Sequence, residues 1–405
     1  MIWLLFFLLA DPALFQARMN EGTAAFDRGD LRVAQASFEA AIKLKDDAGA
    51  WMMLAQTLAR EKETGRARQA AERAEASGGG DQRILQALAN FYTSIVPDLR
   101  KAASIGARYA AKAPGDRTAW RNVAALYLDV GDTEQAIAAA RRGLQGDNSA
   151  ELHTILGRAL TSRREWPAAG AALETAIQLS PYSEEPRFLL AQAYLLQQDF
   201  ARAAAVLEDA RKVFDKSPQM ELALGVTYYG QRKFDAAVAQ FLRTIELAPD
   251  VPQAYMFLGR ILEHATAKLP EITQRFSAFE AQHPASDLGY TLHAKAHILA
   301  LPPSGFPPEA EQPFTLLGKA IAMREDSAEA HYLMGTLLER KGGFAAAAKH
   351  LERSIQLNPK DSAVHFRLAR VYERLGRRED AERERALHEK LSEAEGAAAL
   401  PGLGK

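Results

Sequence analysis

A period of 34 residues runs through the chain and constrains its fold more than any other feature. Gly157, Ala191, Gly225 and Gly259 follow one another at this spacing. Three further columns of alanine, aromatic and large apolar residues keep the same phase: Ala169, Ala203 and Ala237; Trp166, Phe200 and Phe234; Leu173, Leu207 and Phe241. Columns that agree in phase indicate a repeat architecture, in which one small unit is stacked many times.

The apolar residues within each period have helical spacing. Leu224, Gly225 and Tyr228 fall on one face of a helix. Glycine-containing turns such as Gly29-Asp30 end a first helix, called helix A, and a proline such as Pro249 stops a second, called helix B. The pattern predicts an all-α solenoid of antiparallel helix hairpins, in which each hairpin completes its core on its neighbours.

The order of these residues resembles the tetratricopeptide repeat, whose pattern is W-x2-L-G-x2-Y…A-x3-F…P. The first helix of that pattern is matched by Trp51-x2-Leu54-Ala55-x2-Leu58, Trp120-x2-Val123-Ala124-x2-Tyr127 and Tyr255-x2-Leu258-Gly259-x2-Leu262. Ala237-x3-Phe241 with Pro249 matches the second. The resemblance covers roughly residues 15–395 and implies a right-handed superhelix with the A helices on its concave surface. It is specific for fold and says little about function.

The frame gives about eleven repeats. They begin near Phe15, Ala48, Gln82, Arg117, Ala150, Glu184, Pro218, Pro252, Asp287, Ala328 and Ser362. Three repeats, at 82–116, 252–286 and 287–327, are irregular: the first two carry Pro97 or Pro270 near the turn between the helices, and the third carries an insertion. We expect a charged capping helix at about 377–395 and a flexible tail at 396–405.

Residues 1–14 are predicted to be a signal peptide or an N-terminal hydrophobic segment. Ile2 to Ala10 is an uninterrupted apolar run that is too short to span a bilayer but fits the core of a secretory signal. No basic residue precedes it and no clear cleavage site follows it, so an apolar N-terminal helix cap is the alternative. We expect no stable membrane span and a periplasmic or secreted location, with a cytoplasmic location as the alternative.

Composition excludes several kinds of chemistry. The 405 residues include no cysteine, which rules out disulfides, cysteine zinc sites and thiol catalysis. Lys and Arg number 50 against 51 Asp and Glu, so the chain lacks the basic surplus of a general nucleic-acid binder. No HExxH, GxxxxGK[ST], GxGxxG or GxSxG motif occurs, and the repeats leave no room for a catalytic domain. We expect a protein that is not an enzyme and needs no cofactor.

His293 and His297 are the one pair with metal-ligand spacing, since residues at i and i+4 share a helix face. In the repeat frame they occupy the seventh and eleventh positions, which pack inside the hairpin. No third ligand lies nearby in the same turn. We therefore expect these imidazoles to fill the core rather than to bind a metal.

The resemblance also indicates a binding surface, because positions 2, 5, 9, 12 and 13 of helix A face the groove in this family. In repeats six to nine these positions are mostly apolar: Phe188, Leu195, Leu196, Leu222, Val226, Tyr229, Met256 and Ile298. Basic residues at the ninth position flank them: Arg158, Arg260, Lys295 and Arg370. Exposed apolar patches rimmed by charge are typical of interaction sites. We predict that this surface binds an extended or helical apolar segment of a partner, with acidic flanks, and that Tyr229 and Phe188 anchor it. The alternative is that neighbouring A helices bury part of the stripe.

These observations predict a non-catalytic scaffold or adaptor that binds a protein partner in its concave groove, in the bacterial cell envelope. The alternatives are an accessory subunit of an envelope polysaccharide-synthesis or secretion complex and a cytoplasmic co-chaperone-like adaptor. Family members that bind chaperone tails clamp the carboxylate with Lys and Asn on successive A helices. Asn90 and Asn122 match the two Asn positions, but Gln86 replaces the clamp Lys, and Glu151 and Ile155 stand where basic residues are needed. We therefore expect the chain to have no useful affinity for an acidic chaperone C-terminal peptide, because charge-assisted bonds supply the strength.

Overall fold

The computed structural model describes residues 12–302 and 305–397. Regular structure in these ranges is entirely helical, and the described residues contain no strand, which confirms the predicted all-α class. Of the predicted N-terminal segment, residues 1–11 lie outside the described ranges. Of the predicted tail, residues 398–405 also lie outside them.

The described residues form 22 α-helices that alternate as A and B helices in eleven pairs. The A helices are α1 (Pro12–Arg28), α3 (Ala48–Arg60), α5 (Gln82–Asn90), α7 (Ala119–Asp129), α9 (Ala150–Ser162), α11 (Glu184–Leu196), α13 (Pro218–Gly230), α15 (Pro252–Ile261), α17 (Asp287–Ala300), α19 (Ala328–Lys341) and α21 (Ser362–Arg374). The B helices are α2 (Leu31–Leu44), α4 (Thr64–Gly78), α6 (Leu99–Lys112), α8 (Thr133–Leu144), α10 (Trp166–Leu179), α12 (Phe200–Arg211), α14 (Phe234–Leu247), α16 (Leu269–Gln282), α18 (Glu311–Met323), α20 (Phe344–Leu357) and α22 (Arg378–Ala397). Three helices have bounds that differ slightly from those read off the sequence: α1 begins at Pro12 rather than Phe15, α7 begins at Ala119 rather than Arg117, and α22 spans 378–397 rather than 377–395.

The turn from helix A to helix B has one recurring backbone geometry. In eight pairs a single residue of this turn has positive φ: Gly29, Lys62, Gly131, Arg164, Gln198, Arg232, Gly342 and Gly376. The next residue donates its N–H to a carbonyl five positions back, as from Asp132 to Tyr127 (2.8 Å). This bond closes the end of helix A in the manner of a Schellman motif.

Gly157 and Gly225, two glycines of the repeat column, lie where helix A meets helix B. A Cβ built on Gly225 would lie 2.6 Å from Phe241 Cε1, and one built on Gly157 would lie 2.4 Å from Leu173 Cγ. Such distances are too short for any side chain, so the close approach of the two helices depends on glycine at these positions. The glycine and its large partner on helix B form one packing unit.

The irregular repeats lack the recurring turn. In the third repeat, α5 continues into a π-helical turn at Phe91–Ile95 before Pro97. In the eighth, α15 is followed by 3₁₀ turns at Leu262–His264 and Thr266–Lys268. In the ninth, a loop with a 3₁₀ turn at Pro308–Ala310 precedes α18.

Internal contacts divide the chain into two compact units that meet in sequence between Leu190 and Ala191. This boundary falls inside α11, in a regular repeat, and not in any of the three irregular ones. The core of the first unit includes Phe38 and Phe91, and that of the second includes Phe241. Over the described ranges, no helix has both the length and the apolar character needed to cross a membrane.

Candidate functional site

The predicted groove residues lie on six A helices and are divided between the two units. Arg158 on α9 and Phe188 on α11 belong to the first unit, and the other ten belong to the second. Five are exposed: Arg158, Leu196, Met256, Arg260 and Arg370. Five are half-buried: Phe188, Leu222, Tyr229, Lys295 and Ile298. The remaining two, Leu195 and Val226, are buried.

The expectation that Leu195 and Val226 face solvent is wrong, since they are only 8% and 7% exposed. Val226 follows Gly225, which lies close to Phe241 of α14, and it joins the core cluster around Phe241. Helix α13 also contacts the next A helix, α15. For Val226, the alternative interpretation of the sequence, burial of part of the stripe, is the one the structure supports.

Tyr229, a predicted anchor, belongs to an aromatic cluster. Its ring centre lies 5.8 Å from that of Phe257 and 6.1 Å from that of Phe234. The guanidinium carbon of Arg260 lies 5.5 Å from the centre of the Phe257 ring. Such ring contacts stabilise the hairpin, so Tyr229 has a packing role whatever it contacts outside the chain. Met256, the one apolar residue of the predicted set on α15, is 42% exposed.

Lys295 and Ile298 line a cavity of about 910 Å³ in the second unit, together with residues of α19 and α21. We call this cavity the basic pocket. Its cations are Lys295, Arg340, Arg367, Arg370 and Arg374. Its carboxylates are Glu263 and Glu339, which leaves a formal surplus of three positive charges among the lining residues. Half-buried Ile298, Leu299 and Leu301 supply apolar surface.

Glu339 organises the arginines of the basic pocket. One of its carboxylate oxygens accepts a hydrogen bond from Arg367 Nη1 at 2.8 Å, and the other lies 3.3 Å from Arg370 Nη2. The Glu339 side chain is 9% exposed, and that of Arg367 is 26% exposed. Burial acts to lower the pKa of Arg367, but Tyr332 and Glu339 outweigh it, and the net shift of this pKa is upward. The guanidinium of Arg367 therefore stays charged.

Arg158 lines a second cavity of about 380 Å³, which lies wholly in the first unit. We call it the mixed pocket. Its charged residues are Arg121, Asp129, Glu151, Arg158 and Glu185. The guanidinium of Arg158 lies 3.5 Å from Asp129 Oδ1 through Nη2 and 4.0 Å from Glu185 Oε1 through Nη1. The cations of this pocket are outnumbered by its carboxylates.

Sequence reasoning missed Arg340, Arg367 and Arg374. Arg340 and Arg374 occupy the thirteenth position of the tenth and eleventh repeats, which is one of the groove positions. Extending the groove prediction from repeats six to nine to the end of the array would therefore have included them. Arg367 occupies a sixth position, outside the set. Its contribution depends on Glu339 of the preceding A helix, a contact that only the structure gives.

His293 lies inside the contact between α16 and α17 and is 7% exposed. Its Nδ1 lies 2.5 Å from Glu280 Oε2, and its Nε2 lies 2.9 Å from His297 Nε2. Burial, reinforced by His293, lowers the pKa of His297. Within residues 12–302 and 305–397, no group of three or more His, Asp or Glu is arranged to hold a metal ion.

The alternating A and B helices, the glycines at their crossings and the left-handed turn define an α-helical repeat protein. Two family models described as tetratricopeptide repeat match the chain, one at residues 19–81, 124–184 and 222–268 and the other at 160–224 and 340–384. Together they cover more than half of the chain. The chain belongs to the tetratricopeptide repeat family.

Several solved structures are similar to the chain. Yeast Tom70 is 14% identical with a TM-score of 0.41, over 96% of this chain and 92% of that one. TTC0263 from Thermus thermophilus, a thermophilic tetratricopeptide repeat protein, is 21% identical with a TM-score of 0.38. The match covers 44% of this chain and 98% of that one. The structure of Naa15/Naa10 bound to HypK-THB is 14% identical with a TM-score of 0.46, and the match covers 92% of this chain and 63% of that one. No curated protein matches the chain in sequence.

Proposed function

We propose that the chain is a non-catalytic scaffold that holds a segment of a partner protein along the exposed residues of its A helices. The basic pocket is the observation that carries the proposal. Three A helices, α17, α19 and α21, contribute to one cavity of a volume that suits several side chains of a bound segment. Membership of the tetratricopeptide repeat family supports protein binding, and the described helices are all accounted for by repeats.

A photo-crosslinking amino acid tests this proposal in cells. We would place it at Met256 or Arg260, both exposed on α15, and at Ala205 or Ala345, which are exposed on B helices. We expect a defined crosslinked protein from the α15 positions and none from the B-helix positions. Equal crosslinking from both sets, or from the B-helix positions alone, contradicts binding along the A helices.

We further propose that the scaffold acts in the periplasm or outside the cell, as part of the bacterial cell envelope. The apolar run Ile2 to Ala10 supports this location, since it fits the core of a secretory signal. Fusing the first twenty or so residues to a phosphatase that is active only outside the cytoplasm tests it. Phosphatase activity is expected, and its absence alongside full expression of the fusion favours the cytoplasmic alternative.

A further inference from the structure

We propose that the basic pocket binds an acidic segment of a partner protein in which carboxylates alternate with apolar side chains. The inference rests on the proposed function, because it names the partner chemistry for that surface. It concerns repeats nine to eleven, whereas the incomplete carboxylate clamp lies in repeats three to five.

The first argument is charge. The pocket is lined by five cations and two carboxylates, and because Lys295 Nζ is paired with Glu329 Oε1 at 2.7 Å, the surplus is carried by the arginines, although the whole chain has a formal net charge of −1. Arg340 and Arg374 have no carboxylate within ion-pair distance among the described residues, so Glu263 and Glu339 do not compensate them. A surplus of positive charge concentrated in one cavity attracts and orients an acidic ligand.

The second argument is that the cations are held in place. Glu339 uses both carboxylate oxygens to fix Arg367 and Arg370. A guanidinium has five N–H donors, so Arg370 keeps donors for a ligand after this contact. The Arg374 guanidinium carbon lies 5.8 Å from the Phe344 ring centre, a cation–π contact that restrains its side chain. Side chains that are ordered before binding lose less entropy when the ligand arrives.

The third argument distinguishes an alternating segment from a purely acidic one. Ile298 and Leu299 lie at groove positions of α17 and are half-buried, next to the cations in the same cavity. A segment with only carboxylates would leave this apolar surface exposed to water. A segment with only apolar residues would remove water from the arginines without replacing the hydrogen bonds that the water made. A segment that carries both kinds of side chain satisfies both parts of the pocket.

Fluorescence anisotropy with a labelled twelve-residue peptide of alternating Glu/Asp and Leu tests the proposal on the full chain. The matched probe is the same peptide with Gln and Asn in place of Glu and Asp. We expect the acidic peptide to bind at least about tenfold more tightly than its amide counterpart, because paired charges strengthen the contacts. Raising the salt from about 50 to about 300 mM should weaken the acidic peptide selectively.

Arg370→Gln with Arg374→Gln should weaken the acidic peptide about tenfold or more. The control Lys349→Gln with Arg353→Gln removes the same charge from α20, where neither side chain forms an ion pair within the described residues, and should change affinity less than about twofold. Arg370→Lys with Arg374→Lys keeps the charge but not the planar fork, and should give an intermediate loss. If the glutamine variant does not fold, the lysine variant and the two-peptide comparison decide the question.

Three results would overturn the inference: no preference for the acidic over the amide peptide, equal weakening by the α20 control, or tighter binding of a single-stranded DNA twelve-mer than of the acidic peptide. Crosslinking of a partner at Met256 that is unchanged by the Arg370/Arg374 variant would leave the scaffold function intact and refute the acidic ligand. Absence of any crosslinked partner would refute the scaffold function itself.

Discussion

The mixed pocket of the first unit and the basic pocket of the second share several positions of the repeat frame, yet they differ in how their cations are paired. Arg158 and Arg370 are both ninth-position residues. Arg158 lies between Asp129 and Glu185, one carboxylate from each neighbouring repeat. Arg370 shares a single carboxylate, that of Glu339, with Arg367. The charge of a groove is therefore decided by residues on adjacent A helices, and one position of the repeat does not predict it.

The aromatic and imidazole residues are also distributed unequally, which makes the two units separately measurable. Trp51, Trp120 and Trp166 all lie in the first unit, and the second unit has no tryptophan. Tryptophan fluorescence therefore reports unfolding of the first unit, while far-ultraviolet circular dichroism reports both. Substitutions paired between the units can thus test whether the two share one packing scheme and differ only in their pockets.

The largest effect is expected at the glycine crossings. Gly157→Leu places a side chain against Leu173. Gly335→Leu places a Cβ 2.7 Å from Leu351 Cγ. Each should lower the free energy of unfolding of its unit by about 3 kcal/mol. Fluorescence should detect the first change, and circular dichroism alone should detect the second.

Gly170→Leu and Gly318→Leu are the matched controls, because both glycines lie within B helices and have nothing within 4 Å of an added Cβ. They should leave stability unchanged or raise it slightly, since leucine is a better helix former than glycine. If a crossing variant melts like its control, the close helix approach is not what requires glycine there.

The carboxylates of the two pockets should differ in their importance for stability. Glu339→Gln removes the partner of two arginines from a site where its side chain is 9% exposed, and should cost about 1–3 kcal/mol. Asp129→Asn removes a partner that is 54% exposed and should cost less than about 0.5 kcal/mol. Thermal unfolding, with hydrogen exchange of α19 and α21 for the first variant, provides the measurement. Equal costs would mean that the arrangement around Glu339 is no more structural than a surface ion pair.

The fold could be predicted from the sequence, and the pockets only in part. Residues of a periodic column, such as Gly157 and Gly225, make their contacts within one hairpin. The 34-residue spacing alone therefore indicates that they pack between helices A and B. Burial of Val226 and the pairing of Arg367 with Glu339 depend on the neighbouring repeat, whose side chains do not follow the period. Tyr229 illustrates the same limit, because Phe257, one of its ring partners, lies on the next A helix.

Acid should destabilise the second unit through His350. In the described structure its Nδ1 lies 2.9 Å from His331 Nδ1, while His331 Nε2 lies 3.0 Å from the carbonyl oxygen of Glu325. Because a carbonyl only accepts, His331 carries its proton on Nε2 when neutral, and His350 donates to its Nδ1. Burial, with His331 next, lowers the pKa of His350 below its usual 6.5. Stability from this group is thus complete above about pH 6.5 and is lost as the pH falls below it.

His350→Asn keeps an N–H donor but does not titrate, so it should reduce the loss of circular dichroism stability between about pH 7 and pH 5. The fluorescence transition of the first unit should be unaffected by this substitution. His153, the only histidine of the first unit, also has its pKa lowered by burial, and His153→Asn should change the fluorescence transition instead. An unchanged pH dependence in the His350 variant would show that its protonation is not coupled to folding.

The smallest effects are expected at the left-handed turns, where the two units should behave alike. Arg164 in the first unit and Arg232 in the second have φ of 61° and 60°, a conformation that costs a non-glycine residue about 1 kcal/mol. Arg164→Gly and Arg232→Gly should each stabilise their unit by about 0.5 kcal/mol, since part of the gain is offset by the greater freedom of glycine in the unfolded chain. The reverse changes Gly131→Ala and Gly342→Ala should destabilise by about 1 kcal/mol, because each introduces a Cβ at positive φ. Denaturant unfolding followed by fluorescence and by circular dichroism measures the two units in parallel. Effects of the same sign and size in both units would show that one turn geometry serves the whole array and that the units differ in their pockets. A gain in stability confined to one unit would show that the turns are not energetically equivalent.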